Sequence, residues 1–158
     1  MPISSPPRDK AGRVTPHDHP DLVDADRVIR RISHEFIAKD KEGRPLRVST
    51  AAFEPSSIDV DLYCGLSVDL EPFILADGID PKRHVTTLKL MASIVLPVGS
   101  FRSRSFLVGY DPLEDNPYHG DVWQDAQRGS KLTRSVRMAL LRESTWLVPV
   151  PGIPVTID

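Results

Sequence analysis

The chain has almost no cysteine: its 158 residues include one, Cys64, in the sequence LYCGL. A single thiol excludes an intramolecular disulfide and a zinc site built from several cysteines. It is compatible with a reducing cytoplasm. No base is adjacent to Cys64 in the sequence, so we expect a small buried side chain rather than a nucleophile.

Long apolar runs and a strong net charge are also lacking. The longest apolar stretch, MASIVLPV at 91–98, is interrupted by Pro97 and is far shorter than the roughly 20 residues of a membrane span. The sequence MPISSPPRDK at 1–10 lacks an apolar segment, so we expect no secretory signal. The net charge of −2 gives no overall attraction to nucleic acid or to an anionic membrane. These absences favour a cytoplasmic protein with no membrane partner.

What the chain does have is proline, 15 residues in all, which favours short strands and turns over long helices. Residues 1–25 are rich in Pro, Asp, Ser and His and contain few large apolar groups, so that burial cannot offset the entropy of ordering them. We therefore expect a flexible N-terminal tail over 1–25, with His17 and His19 in a solvated loop or a metal clip. A single domain is expected over 26–158.

Apolar periodicity predicts strands at 27–38, 46–53, 62–70, 84–98 and 106–110, with one helical turn at 71–76. The segment 84–98 is a strand pair or one long bent strand, and the spacing also fits a helix within 27–38 or over 88–96. One convincing helix is expected over 131–144, with Ser130 as its N-cap. Leu132, Val136 and Leu140 share its apolar face. The sequence thus indicates an α+β fold, with a mostly antiparallel sheet and one C-terminal amphipathic helix.

Polar residues interrupt the first strands and form the first candidate site, namely Arg30, Arg31, His34, Ser49, Thr50 and Ser67, with Glu71 as a further candidate. Their order resembles the ADP-ribosyltransferases, in which successive strands carry an Arg or His, a Ser-Thr-Ser or Tyr, and a catalytic Glu. The chain departs from that pattern, since residues 49–51 read Ser-Thr-Ala and no late strand carries a clear Glu. The resemblance implies an enzyme acting on an NAD-like or phosphorylated nucleotide, with His34, Ser49 and His119 as catalytic candidates and Phe53 stacked on nicotinamide. In the alternative interpretation the arginines are solvated or paired with Glu35 and Asp69.

The segment DNPYHGDVW at 115–123 forms a second polar cluster. His119 and Asp121 are two residues apart, so on a strand they project to the same face. With His34 or His84 they could bind a divalent metal or act as a base and its orienting group, or His119 could simply cap a backbone group. We expect no metal and no cofactor. One hypothesis is that His34 and His119 share one hydrogen-bonded site; the alternative is that each histidine separately satisfies a backbone group.

The opposite face of the predicted helix is basic and includes Lys131, Arg134 and Arg137. Such a stripe could contact the phosphates of a nucleic acid. It could equally be a solvated helix face.

The runs RVIRRI, STAAF, GLSVDL and NPYH, followed by a basic helix and a tryptophan strand, resemble a family of small bacterial proteins. The resemblance covers about 27–148 and brings no established activity. It implies that one site groups residues from four segments, namely Arg30, Arg31, His34, Ser49, Phe53, Ser67 and His119. Because every catalytic pattern is incomplete, we expect an accessory or interaction protein acting with a protein partner. An ADP-ribosyltransferase-like enzyme is the alternative, and nucleic-acid binding through the helix at 131–144 is a second alternative.

Overall fold

The computed structural model describes residues 2–55, 65–125 and 132–157, so Cys64, Ser130 and Lys131 lie outside the described residues. In chain order the described elements are β1 (Arg27–Ile32), β2 (Ile37–Lys39), β3 (Pro45–Val48), β4 (Leu66–Leu70), α1 (Glu71–Ala76), α2 (Pro81–Val85), β5 (Ala92–Pro97), α3 (Val98–Arg102), β6 (Leu107–Tyr110), β7 (His119–Trp123), α4 (Arg134–Arg142) and β8 (Thr145–Val148). Two short 3-10 turns span His34–Phe36 and Thr50–Phe53.

Six strands form one antiparallel sheet in the order β6-β7-β4-β1-β5-β8, and β2 pairs with β3 in a separate hairpin. The strand β5, which lies between β1 and the edge strand β8, is buried from Ala92 to Leu96. A strand covered on both faces reads as an uninterrupted apolar run rather than an alternating one. The α+β class with a mostly antiparallel sheet and a C-terminal helix is confirmed.

The 3-10 turn at Thr50–Phe53 replaces the end of the expected strand at 46–53. Ser49 caps this turn by accepting a hydrogen bond from the Ala51 amide at 3.1 Å. The turn directs Phe53 into the core, where it is fully buried and packs edge-to-face on Phe101 at 6.4 Å between ring centroids. Phe53 is therefore a core residue, and the prediction that it stacks on a ligand is wrong.

The expected strand at 84–98 is also shorter than predicted, because α2 occupies its first residues. Asp80 caps α2 by accepting from the Lys82 amide, and Pro81 occupies the first turn. An Asp cap followed by Pro is a strong helix-start signal. It outweighs the alternating pattern that begins at His84, and the strand β5 starts only at Ala92.

The helix α4 begins at Arg134, because the Thr133 hydroxyl accepts from the Val136 amide and caps it. Leu140 is fully buried and Val136 packs against the core, as the apolar spacing predicts. The helix is thus shorter at its start than the expected 131–144.

The N-terminal segment is packed against the sheet, in contrast to the flexible tail that the composition suggests. Val14, His19 and Leu22 are buried, and the His19 amide donates to the Val108 carbonyl at 2.9 Å. The rings of His17 and His19 both belong to an aromatic cluster. The ring centroids of His17 and Trp123 are 5.4 Å apart, and those of His19 and Tyr110 are 5.6 Å apart. A count of large apolar residues misses this packing because the half-buried ring of His17 and the buried ring of His19 supply much of it.

Gly109 on β6 makes this packing possible. A Cβ at this position would lie 2.8 Å from His17 Cε1 and 2.5 Å from Trp123 Cζ3. Contacts that short do not occur, so any larger residue would displace either the histidine or the tryptophan.

Candidate functional site

The larger of two notable cavities is an open groove of about 530 Å³ beside β4 and β7. Its lining combines charged, imidazole, hydroxyl, amide and apolar side chains from β1, the 3-10 turn at His34–Phe36, β4, α2, the loops before β5 and β7, and the start of β7. These residues are Arg30, Arg31, Phe36, Ser67, Val68, Asp69, His84, Leu90, Leu113, Asp115, Asn116 and His119. An open pocket with a few convergent polar groups is the default candidate for a binding site.

The pairing register of β4 with β7 determines which polar side chains lie together at the groove. Asp69 is directly opposite His119, and Ser67 is directly opposite Asp121, in the antiparallel pair of β4 and β7. Directly opposed residues project to the same face with their Cβ atoms about 4.5–5.5 Å apart. Two strands distant in sequence therefore bring four polar side chains to one patch.

Asp69 is the centre of a hydrogen-bonded network in this floor. Arg31 donates to both carboxylate oxygens, at 2.8 and 2.9 Å, and Asn116 Nδ2 donates to Oδ1 at 2.7 Å. The side chain of Asp69 is 5% exposed, so this acceptor is nearly removed from water. The pairing of Arg31 with Asp69 agrees with the structural interpretation of that arginine.

Asn116 extends the network to His84. Its Oδ1 accepts from the Tyr118 amide at 3.3 Å, and its Nδ2 faces Asp69, so the amide can take only one orientation. His84 Nε2 lies 3.0 Å from the same Oδ1, and it must carry the proton that it donates. The hydrogen bonds are therefore all donated in the same direction: His84 donates to Asn116, and Asn116 donates to Asp69.

The loop that carries Asn116 is fixed by two tyrosines. The Tyr118 hydroxyl donates to Asp77 Oδ2 at 2.6 Å, and the Tyr110 hydroxyl donates to the Pro117 carbonyl at 3.0 Å. The hydrogen bond to the Asp77 carboxylate raises the pKa of Tyr118. Both contacts hold the groove wall in place through side chains outside the groove.

His119 presents one unprotonated ring nitrogen beside two carboxylates. Its Nδ1 lies 2.8 Å from the Asp111 carbonyl, so Nδ1 carries the proton in the neutral ring and Nε2 keeps its lone pair. Nε2 is 3.9 Å from Asp121 Oδ1, too far for a hydrogen bond. One ligand atom each from Asp111, His119 and Asp121 lies within 4.8 Å of the others, a set that could accept a cationic group or a divalent ion.

Arg30 bridges the backbone rather than pairing with Glu35. Its Nε donates to the Ala52 carbonyl at 2.6 Å and its Nη1 donates to the Ser67 carbonyl at 2.7 Å. The guanidinium also lies 5.6 Å from the Phe36 ring centroid. Arg30 therefore ties the 3-10 turn at Thr50–Phe53 to β4, and it lines one wall of the groove.

The structure divides the predicted site residues among four places. Arg30, Arg31, Ser67 and His119 line the groove, Ser49 lines the second cavity, and Phe53 lies in the core. His34 is exposed in its 3-10 turn and lines neither cavity. The three catalytic candidates His34, Ser49 and His119 therefore do not converge in one cavity, and His34 does not join the network around His119.

The sequence pattern placed Asp115 and Asn116 in the second polar cluster without a ligand role, did not single out Asp111, and gave His84 only a secondary role. Asn116 and His84 are 32 residues apart and meet through a side-chain hydrogen bond. The capped start of α2 at Asp80–Pro81 was a usable signal for the position of His84. The register in which β4 pairs with β7 cannot be predicted from the residues near either strand in the sequence.

The basic residues predicted to contact nucleic acid differ in their exposure and pairing. Arg137 is 17% exposed and its Nη1 pairs with Glu54 at 3.1 Å. Arg134 is exposed and lines the second cavity. Only part of the basic helix face is therefore available to a ligand.

Searches against protein-family models, curated proteins and solved structures find no match to this chain. Within the part of the chain that the structure describes, no helix has the length and apolarity needed to cross a membrane.

Proposed function

We propose that this chain is an interaction protein and that its groove receives an extended segment of a partner protein. The segment carries a basic side chain next to an apolar one. One observation carries the proposal. The open groove has hydrogen-bond acceptors at one end, around Asp115 and His119, and apolar side chains along one edge, at Leu90 and Leu113.

The acceptor-rich end favours a cation. Among the described residues, the side chains of Asp111 and Asp115 make no ion pair, and His119 Nε2 makes no hydrogen bond. A lysine or arginine entering beside these groups would gain charge-assisted hydrogen bonds. An acidic residue at the same place would be repelled.

The apolar edge favours a polypeptide over a small ion. Leu113 is 44% exposed, and Leu88, two residues before Leu90, is completely exposed. Exposed leucines around a polar recess are typical of a protein-binding surface. The fixed network of Asp69, Asn116 and His84 means that these floor groups need little reordering on binding, which lowers the entropic cost.

The test is selection of a phage-displayed library of random heptapeptides on the full chain. We expect enriched peptides to pair Lys or Arg with a neighbouring Leu, Ile or Phe. Enrichment of acidic or purely polar peptides would contradict the proposal.

The selected peptide is then measured against two variants by fluorescence polarisation. Asp115→Asn should weaken binding about two- to fivefold, the effect of losing one exposed charge pair of roughly 0.4–1 kcal/mol. Glu114→Gln is the matched control, because Glu114 is the neighbouring exposed acid and does not line the groove. Equal loss in both variants would mean that binding follows general charge and not the groove.

A further inference from the structure

The second cavity has a different chemistry and lies between the β2–β3 hairpin, the 3-10 turn at Thr50–Phe53 and α4. Its volume is about 210 Å³. The lining residues comprise two arginines, two hydroxyls and an apolar remainder, namely Arg47, Arg134, Ser49, Thr50, Ala38, Val48, Met138, Leu141 and Ile157. No carboxylate lines it among the residues that the structure describes.

The two arginines are distinguished from their neighbours by the lack of a carboxylate partner. Arg44 pairs with Asp40 at 3.0 Å and Arg137 pairs with Glu54 at 3.1 Å. Within the described ranges, neither Arg47 nor Arg134 makes an ion pair or a side-chain hydrogen bond. Their positive charge at this cavity is therefore not neutralised by the described part of the chain, and it favours an anion.

The hydroxyls add donors on the same lining. Ser49 Oγ accepts from the Ala51 amide at 3.1 Å, which leaves its own O–H available to donate. The backbone amide of Ser49 donates to the Phe36 carbonyl at 2.7 Å and holds the residue in place. Thr50 follows directly and supplies a second hydroxyl to the cavity.

We propose that this cavity binds a phosphate monoester that carries a small apolar group. A tetrahedral phosphate offers three terminal acceptor oxygens that point apart and can meet two guanidinium groups and two hydroxyls, whereas a carboxylate offers only two oxygens in one plane. The apolar wall of Val48, Met138 and Leu141 accommodates the organic substituent. The volume equals that of about seven water molecules at roughly 30 Å³ each, which suits a phosphate with a short substituent.

The site is independent of the groove, since the two linings share no residue. It also gives Ser49 and Arg134 a common ligand, although the sequence patterns placed them in two unrelated predictions. Failure of one proposal therefore leaves the other intact.

The experiment is isothermal titration calorimetry of the full chain with phenyl phosphate, inorganic phosphate and benzoate. Phenyl phosphate is expected to bind most tightly, because only it offers both the tetrahedral anion and the apolar group. Titration to roughly 10 mM is sufficient, since a Kd of about 1 mM would then give near-saturation. No saturable binding of phenyl phosphate, or equal binding of benzoate, would overturn the proposal.

Variants locate the binding. Arg47→Gln and Arg134→Gln should each weaken phenyl phosphate about tenfold or more, with unchanged thermal melting because both side chains are exposed. Arg134→Lys should restore part of the loss, since it retains the charge without the fork. Arg83→Gln is the control, because Arg83 is exposed on α2 and lines neither cavity. An equal loss with Arg83→Gln would overturn the assignment.

A short peptide containing phosphoserine identifies the source of the ligand. Tighter binding than phenyl phosphate would support a phosphorylated polypeptide, and weaker binding would support a free small molecule. Both results retain the phosphate-monoester site.

Discussion

Asp69 and His119 are direct partners across β4 and β7, and their side chains leave the sheet on the same side. Arg31 and Asn116 hold Asp69, whereas His119 Nε2 faces Asp121 at 3.9 Å with no hydrogen bond. The hydrogen-bonding capacity of Asp69 is thus used within the fold, whereas His119 has a ring nitrogen whose lone pair is available to a ligand. This difference is why we assign stability to Asp69 and binding to the end of the groove near His119.

Asp69→Ala is expected to destabilise the fold by about 2–4 kcal/mol. The substitution leaves Arg31 and Asn116 without their acceptor, and breaking a fully buried pair costs about 3–5 kcal/mol. The Arg31 side chain is 23% exposed, so water recovers part of that cost. Urea unfolding measures the change. Arg44→Ala is the comparison, because its side chain is 73% exposed and a surface pair contributes at most about 1 kcal/mol.

Leu140→Ala should cost about 2–5 kcal/mol, because Leu140 is fully buried on the inner face of α4. Arg134→Ala should change stability by no more than about 0.5 kcal/mol, since Arg134 is exposed. Thermal or urea unfolding of the two variants side by side checks the face assignment. Equal stabilities would show that the helix packs through a different face.

Deleting residues 2–20 should reduce the free energy of unfolding by more than about 2 kcal/mol. The composition alone suggested little change, but the segment buries Val14 and His19 and covers part of the aromatic cluster. Burying one large apolar side chain is worth about 1.5–3 kcal/mol. A truncated chain as stable as the full one would mean that the segment is not packed in solution.

Docking of the same segment should weaken in acid through His17. Its Nδ1 donates to the Thr15 carbonyl and its Nε2 accepts from the Tyr110 amide at 3.0 Å, so only the neutral ring satisfies both bonds. Burial lowers the pKa of His17 below its usual 6.5. The hydrogen bond to the Thr15 carbonyl opposes this shift, as do Asp18 and Asp111, whereas neighbouring His19 adds to it.

The direction of the effect follows from that depressed pKa. Above pH 6.5 the ring is neutral in both the folded and unfolded chain, so this contribution to stability is complete. As the pH falls below 6.5, the unfolded chain takes up the proton first and stability declines until the folded ring also titrates. His17→Gln should flatten the stability profile between about pH 8 and about pH 5. A variant profile parallel to that of the native chain would contradict this role.

Carboxylates affect a separate range of pH. Backbone hydrogen bonds lower the pKa of Asp9 and of Asp21 below 3.8. Their contribution is present above 3.8 and is lost as the pH falls through their lowered values. The histidine effect can therefore be measured without interference from these two groups.

Local patterns predicted the elements that depend on local physics. The apolar spacing of Val136 and Leu140 predicts α4, and the strand predicted within 27–38 is β1 over its first six residues, because periodic burial is visible in sequence. The interpretation in which the arginines pair with Glu35 and Asp69 includes the ion pair that Arg31 forms with Asp69. The Asp80–Pro81 start of α2 is a local signal as well, but the alternating pattern after His84 competes with it.

The candidate site was less predictable because strand register and long-range side-chain contacts create it. Nothing near Asn116 in the sequence indicates that it links His84 to Asp69. His34 and His119 looked equivalent as histidines beside apolar runs, yet the chain leaves β1 after Ile32 and places His34 in an exposed turn. The apolar pattern predicts Phe53 on a strand, but the turn capped by Ser49 changes the direction of the backbone before Phe53.

Mapping by two-dimensional ¹H–¹⁵N NMR tests the central claim most directly. The peptide selected on the full chain is titrated into the labelled protein, and amide shifts are followed along the sequence. The account predicts that the largest shifts occur at the groove, around Asp69, Leu113 and His119, and that those around Arg47 and Arg134 stay small. Shifts confined to the second cavity, or spread evenly over the surface, would contradict the assignment of the groove as the partner-binding site.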